Sequence, residues 1–167
     1  MVKKYFDENE YLELKNSDDL LYKTLELVYK VFDNKTDKGG FPYFNHLLKV
    51  YGGVSSYNEK IIALLHDIVE NTDITFQDLK DYGYSDLIID AIKCLTKKKG
   101  EYYPDYIDRI INSNNKLAMN VKISDLKHNM DIKKIKNPTV NDYERISERY
   151  ERAYTKIKDK LDKLEEK

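Results

Sequence analysis

A single cysteine, Cys94, stands in 167 residues. One thiol can close no internal disulfide and build no cysteine-based zinc cluster. Long apolar runs are missing too, and none approaches the ~18 to 20 residues that a membrane span needs. Six glycines and three prolines are too few for a collagenous or a Gly/Pro-rich disordered chain. Neither sign of charge is in surplus: 29 basic residues face 30 acidic ones, for a net charge of -1. Nothing in that balance calls for nucleic acid, a membrane surface or an acidic partner. The first eight residues, Met1 to Glu8, have no apolar core and soon turn acidic, so they do not read as a signal peptide. These absences describe a protein of the reducing cytosol. Strand-like alternation between hairpin turns is also lacking, as are internal repeats and low-complexity tracts.

What remains is helical periodicity. Asn16, Ser17 and Asp18 offer a helix start, after which Leu20, Leu21, Leu25, Val28, Val31 and Phe32 recur at three-to-four spacing. Asp33 to Gly40 is a polar loop. Pro42 suits a first helical turn, and a short helix runs to about Tyr51, where Gly52 and Gly53 stop it. Ser55 or Ser56 caps the next, whose apolar residues Ile61, Ile62, Leu64, Leu65, Ile68 and Val69 lie on most sides, the mark of a buried central helix. Thr75 with Asp78 is a variant capping box, and Ser85 starts a further helix through Leu95. Lys97 to Gly100 form a basic turn, and Asp105 to Ile111 a short helix. Leu117, Val121 and Asp125 share one helical stripe, and Pro138 and Thr139 open a long last helix. The expectation is an all-α fold, one domain over residues 1–167 with about seven to nine helices, its charged end at 158–167.

Only three histidines occur, His46, His66 and His128, and each interrupts an apolar helical pattern. Asp67 falls within the expected central helix and Asp125 within a later one. A carboxylate inside a buried helix is costly without a basic partner or a metal ion. No Lys or Arg lies within four residues before Asp67, and Lys60 is expected to be exposed. Two imidazoles and two carboxylates suit Mn²⁺, Fe²⁺, Co²⁺ or Zn²⁺. Singly, a histidine on an apolar helix is more often a hydrogen-bonded core residue than a ligand. Together, His46, His66, Asp67 and Asp125 put polar groups where periodicity expects core.

These residues resemble the HD-domain metal-dependent phosphohydrolases in order and type. The stretch Lys38 to His46 (KGGFPYFNH) resembles the Gly-x-Pro-Tyr-x-x-His segment of RelA/SpoT-type (p)ppGpp hydrolase domains. Ala63 to Thr72 (ALLHDIVENT) is similar to their His-Asp-x-x-Glu-Asp-Thr motif, and Val121 to Met130 (VKISDLKHNM) to their Lys-x-Ala-Asp-x-x-His-Asn-Met motif. The resemblance spans residues 20–157 and is that of a small stand-alone member. It implies a helical HD-domain fold and His46, His66, Asp67 and Asp125 as ligands of a divalent metal, usually Mn²⁺. It implies Glu70 and Asn71 as catalytic positions, Asn129 and Lys38 as substrate contacts, and a nucleotide as substrate. A metal of this kind lowers the pKa of water from 15.7 towards ~7, and Glu70 would take or relay its proton. The family's reaction releases pyrophosphate from the ribose 3′ position.

The chain departs from that pattern in three places. Asn71 stands where aspartate is usual and can neither act as a base nor hold charge. Asp37 precedes Lys38 where the long hydrolases have arginine, and Asp131 and Ile132 follow where they have Arg-Thr. Both acids are expected to repel phosphates, so phosphohydrolysis is implied more firmly than ppGpp. Lys38, Lys122, Lys127, Arg145 and Arg149 are the candidate phosphate contacts. Lys97 to Lys99 read as a turn, and Tyr102, Tyr103 and Tyr106 as packing residues. Arg145, Arg149 and Arg152 read as a salt-bridged surface. Three readings stay beside the first: a hydrolase of another nucleotide or phosphorylated metabolite, a nucleotide-binding sensor with weak catalysis, and a metal-free helical interaction module.

Overall fold

The computed structural model describes Met1 to Lys167 and is helical throughout, with one isolated β-bridge between Thr36 and Pro42. After a 3₁₀ turn at Val2–Tyr5 come α1 (Glu8–Lys15), α2 (Leu20–Val31), α3 (Tyr43–Gly52), α4 (Tyr57–Leu65), α5 (Ile68–Asn71), α6 (Phe76–Asp81) and α7 (Asp86–Leu95). They are followed by α8 (Tyr103–Asn112), α9 (Lys116–Asn129), α10 (Val140–Arg145) and α11 (Arg152–Glu165). A π-helical turn, Ile146–Glu151, joins α10 to α11 in one continuous rod. Counting that rod once, and setting aside the four-residue α5, leaves nine helices.

Most starts are made by side-chain caps. Ser56, Thr75 and Thr139 each form a capping box with the residue three positions on, and Ser85 accepts from the Ile88 N–H. Such a cap satisfies backbone donors the helix itself cannot, and losing one costs ~1 kcal/mol. The helix not expected from periodicity is α1. Its apolar content is thin, and only Leu14 is buried, but Asp7 and Glu10 close a capping box at its head.

The core is built around α4. Ile61, Ile62, Ala63, Leu64 and Leu65 have no exposed surface, and the helix packs against α2, α3, α7 and α9. A helix apolar on all sides is stable only when surrounded in this way. Leu47 and Val50 of α3, Val121 and Leu126 of α9, and Ala153, Ile157 and Leu161 of α11 complete the same cluster. Where α3 meets α9 the backbones come close. Ser124 donates to the Val50 carbonyl (2.8 Å), and a Cβ on Gly53 would run into the Ser124 hydroxyl.

The central helix does not run through to Val69. It ends at Leu65, turns at His66 and Asp67, and resumes as the four-residue α5. Asp67 is therefore at the head of a helix rather than in the middle of one. Lys60 is half-buried, not exposed, and donates to the carbonyls of Val54 (2.9 Å) and Tyr51 (3.3 Å).

Candidate metal centre

His46 projects from α3, His66 and Asp67 from the turn between α4 and α5, and Asp125 from α9. Successive residues on a continuous helix diverge by about 100°. The break lets both neighbours face one point, with His66 Nε2 3.0 Å from Asp67 Oδ2. His46 Nε2 lies 3.0 Å from Asp125 Oδ1 and 3.6 Å from Asp67 Oδ2, and His66 Nε2 is 3.4 Å from Asp125 Oδ1. All four donor atoms fall within 4.8 Å of one another. Bonds of about 2.0–2.2 Å to one small ion would set neighbouring ligand atoms about 3 Å apart.

The other face of each imidazole is held. His66 Nδ1 donates to the Ala63 carbonyl (2.6 Å), which leaves Nε2 as the free lone pair of the neutral ring. That Nε2 is buried and has no hydrogen-bond partner. His46 Nδ1 meets Nδ1 of His128 at 2.6 Å, the two rings stacked 4.8 Å apart. Burial, the nearby Lys134 charge and His46 push the His128 pKa down to about 4, so His128 is neutral. A neutral acceptor there places the His46 proton on Nδ1 and its lone pair towards the cluster, the support that ligating histidines ordinarily have. The donor set fits a divalent ion.

With each Nε2 3.0–3.6 Å from anionic oxygens, the four groups call for a positive charge between them. Burial pushes the pKa of both cluster imidazoles down, but Asp125 and Asp67 more than offset it and hold them raised, so the cluster draws a positive charge, a proton or a metal ion, onto each Nε2. Burial alone would raise the two carboxylates. Once those protons are on, charge from His66 leads the effects that hold Asp67 low instead, while Lys122 leads the groups holding Asp125 low. Lys122 is itself buried and donates to Asp125 Oδ2 (2.8 Å). Asn129 donates to Asp125 Oδ1 (3.1 Å) and accepts from Lys134 (3.3 Å). Asp67 receives the Tyr43 hydroxyl (2.5 Å), and Tyr43 receives the Asn71 amide (3.3 Å).

A cavity of about 480 Å³ opens over three of the four, His46, Asp67 and Asp125. Glu70 lies on its wall, where one oxygen accepts the Lys97 N–H (2.8 Å). Loss of surrounding water and the Asp67 charge push the Glu70 pKa up. Cations line the same space: Lys38, Lys97, Lys122, Lys134, Arg145 and Arg149. Lys127 does not; it is exposed on the outside of α9. Lys97, read from the sequence as part of a turn, and Lys134 are the lining cations that sequence reasoning missed. Lys134 sits in a 3₁₀ turn after α9 that no periodicity marks.

Arg145 and Arg149 are more than surface. Arg145 pairs with Asp142 (2.7 Å), and Arg149 lies over the Tyr103 ring (5.0 Å), both at the cavity. Tyr103 is a wall of that cavity, Tyr106 is core and donates to the Leu95 carbonyl (2.6 Å), and Tyr102 is exposed. The two acids expected to repel phosphate are engaged locally. Asp37 Oδ1 accepts the N–H groups of Gly39 (2.8 Å) and Phe41 (3.0 Å), and Asp131 Oδ1 accepts that of Lys133 (3.1 Å).

No family model matches the chain. Among solved structures, one of a metazoan ortholog of SpoT that hydrolyses ppGpp and plays a role in starvation responses superposes with a TM-score of 0.61. The match covers 89% of this chain and 94% of that one, at 19% identity. The chain has the HD-domain fold. No helix is long and apolar enough to cross a membrane.

Proposed function

We propose that this chain is a divalent-metal-dependent phosphohydrolase of nucleotides, with a guanosine 3′,5′-bis(diphosphate)-like compound as substrate and Mn²⁺ as its usual metal. The observation that carries the reading is the convergence of His46, His66, Asp67 and Asp125 from three parts of the fold beside a cation-lined cavity. The HD-domain fold shared with a ppGpp-hydrolysing protein supports it.

His46, His66, Asp67 and Asp125 would hold the metal. When bound, such an ion lowers the pKa of water and neutralises charge on an attacked phosphoryl group. Glu70 acts as general base. The Lys97 N–H fixes one of its oxygens, and its raised pKa brings it nearer the operating pH, where proton transfer is most effective. Lys38, Arg145 and Arg149 bind the phosphate groups farther out. Burial first, and then the charges of Arg145 and Arg149, hold the Lys38 pKa down, and a polyanion relieves that repulsion. Asn129 acts on Asp125 and, at the cavity wall, on the substrate. A second substrate class, another nucleotide or a phosphorylated metabolite, is favoured by one observation: Asp37 stands at the cavity where the long hydrolases carry arginine.

Phosphate and pyrophosphate release across a nucleotide panel with Mn²⁺ tests the proposal. Pyrophosphate from the guanosine compound is expected, and none from the Asp125→Ala protein. Turnover surviving Asp125→Ala would overturn the site. A metal-loaded wild-type chain inert towards every nucleotide would overturn the activity.

A further inference from the structure

Tyr43 is the one side chain that links α3, the α4–α5 turn and the end of α5 through a single oxygen. Its ring is stacked on Phe32 (5.1 Å between centroids, 16° between planes) and meets the edge of His46 (5.5 Å), so the hydroxyl has little freedom of position. A phenol has one proton to give and lone pairs to receive with. Asp67 is ionised and can only accept, so the Tyr43 proton goes to Asp67 Oδ2 (2.5 Å). The Tyr43 oxygen must then be an acceptor towards Asn71, which requires a donor there, and the Asn71 Nδ2 supplies it (3.3 Å). Asn71 is fixed on its other side. Its N–H donates to the Asp67 carbonyl (3.0 Å), and its own carbonyl accepts from Lys35 (3.0 Å).

From this order of donors and acceptors we propose that Asn71 is a positioning residue that acts through the Tyr43 hydroxyl to orient the Asp67 carboxylate. The inference rests on the reading of Asp67 as a metal ligand. It gives position 71 a role that an aspartate could not fill. An ionised carboxylate has no proton to donate, so Tyr43 would face two acceptors with one hydrogen. It would serve either Asp67 or residue 71, never both. The amide removes that competition and commits Tyr43 to Asp67. Asn71 is then no diminished catalytic acid. Outer groups that hold a ligand in place tune the metal affinity of the whole site.

A double-mutant cycle on Mn²⁺ affinity, measured by calorimetric titration of the full chain, tests the relay, with thermal melts of each protein alongside. Tyr43→Phe is expected to weaken binding roughly tenfold, the low end for groups that support metal ligands, and Asn71→Ala about threefold. In the Tyr43→Phe protein, Asn71→Ala should add nothing, because the two residues act in series. Asn71→Asp should raise affinity by its charge in the Tyr43→Phe protein and raise it less, or lower it, with Tyr43 in place. A Co²⁺ absorption spectrum that shifts in the same direction in both proteins, and less in Asn71→Ala than in Tyr43→Phe, would add support. An Asn71→Ala effect of equal size in both backgrounds would overturn the relay, as would a lowered melting temperature with unchanged affinity. Failure of the wild-type chain to bind Mn²⁺, Co²⁺ or Zn²⁺ would instead overturn the metal centre itself.

Discussion

At the scale of single residues, the centre is a problem of buried charge. Lys122 and Asp125 are both almost wholly enclosed, and each is tolerable because the other is there. Removing one partner leaves an uncompensated charge, a loss of roughly 3–5 kcal/mol. Asp125→Asn should therefore be destabilised in urea melts, and the double substitution Asp125→Asn with Lys122→Met should recover most of the loss. Neither protein should bind Mn²⁺. Full stability in Asp125→Asn alone would show that Lys122 has another counter-charge. The four cluster residues were legible in the sequence because each is polar at a position where periodicity expects an apolar one. Tyr43 was legible only as a member of the Gly-x-Pro-Tyr-x-x-His stretch; its role was not, because that exists only once Phe32, His46 and Asn71 have been packed around it.

At the scale of elements, starts were readable and interruptions were not. Ser56, Thr75, Ser85 and Thr139 announce helices because a hydroxyl at that position makes a local bond. The break at His66 and Asp67 has no glycine or proline to announce it. The π-turn Ile146–Glu151 is equally silent, yet it sits where the last rod passes the cavity, in keeping with the habit of such turns to occur at functional sites. Deleting the exposed Ser147 should restore α-helical winding and rotate Arg145 by about 100° relative to the anchored α11. The expected result is weakened pyrophosphate binding with little change in melting temperature, since Ala153, Ile157 and Leu161 stay in the core.

The turn after α7 is held differently. Arg109 grips Glu101 through two 2.9 Å bonds and donates to the Thr96 carbonyl (2.9 Å). The Arg109 bond leads the effects that lower the Glu101 pKa to about 2, from 4.5. A depressed carboxylate stabilises the fold above its unfolded pKa and loses that contribution as pH falls towards 2. Melting temperature against pH should accordingly fall less steeply below pH 4.5 for Glu101→Gln than for the wild type. Identical slopes would mean the pair is not made in solution.

At the scale of the whole molecule, the near-neutral charge and single core were legible, and the HD-domain fold agrees with the three spaced motifs. The cavity was not legible, because it is assembled from loops, α5, α9 and the last rod together. The cluster exists only in the folded chain, so an ion that binds it favours folding by mass action. Mn²⁺ at ~100 times its dissociation constant should add ~2.7 kcal/mol. For a chain of this size that is about 5–10 °C in melting temperature. A chelator should reverse the gain. No shift, with binding shown independently, would mean that the unfolded chain holds the ion as well.

The missing side chain at Gly53 works like the gap of a calliper. It sets how near the jaw bearing His46 comes to the jaw bearing Asp125. Gly53→Ala inserts a methyl wedge against Ser124 and spreads the jaws. The aperture should then favour wider ions, Ca²⁺ with its bonds of ~2.3–2.6 Å over Zn²⁺ with ~2.0–2.2 Å. Competition titrations of the two ions against both proteins would read the change directly, and an unaltered preference would show that the jaws are set elsewhere.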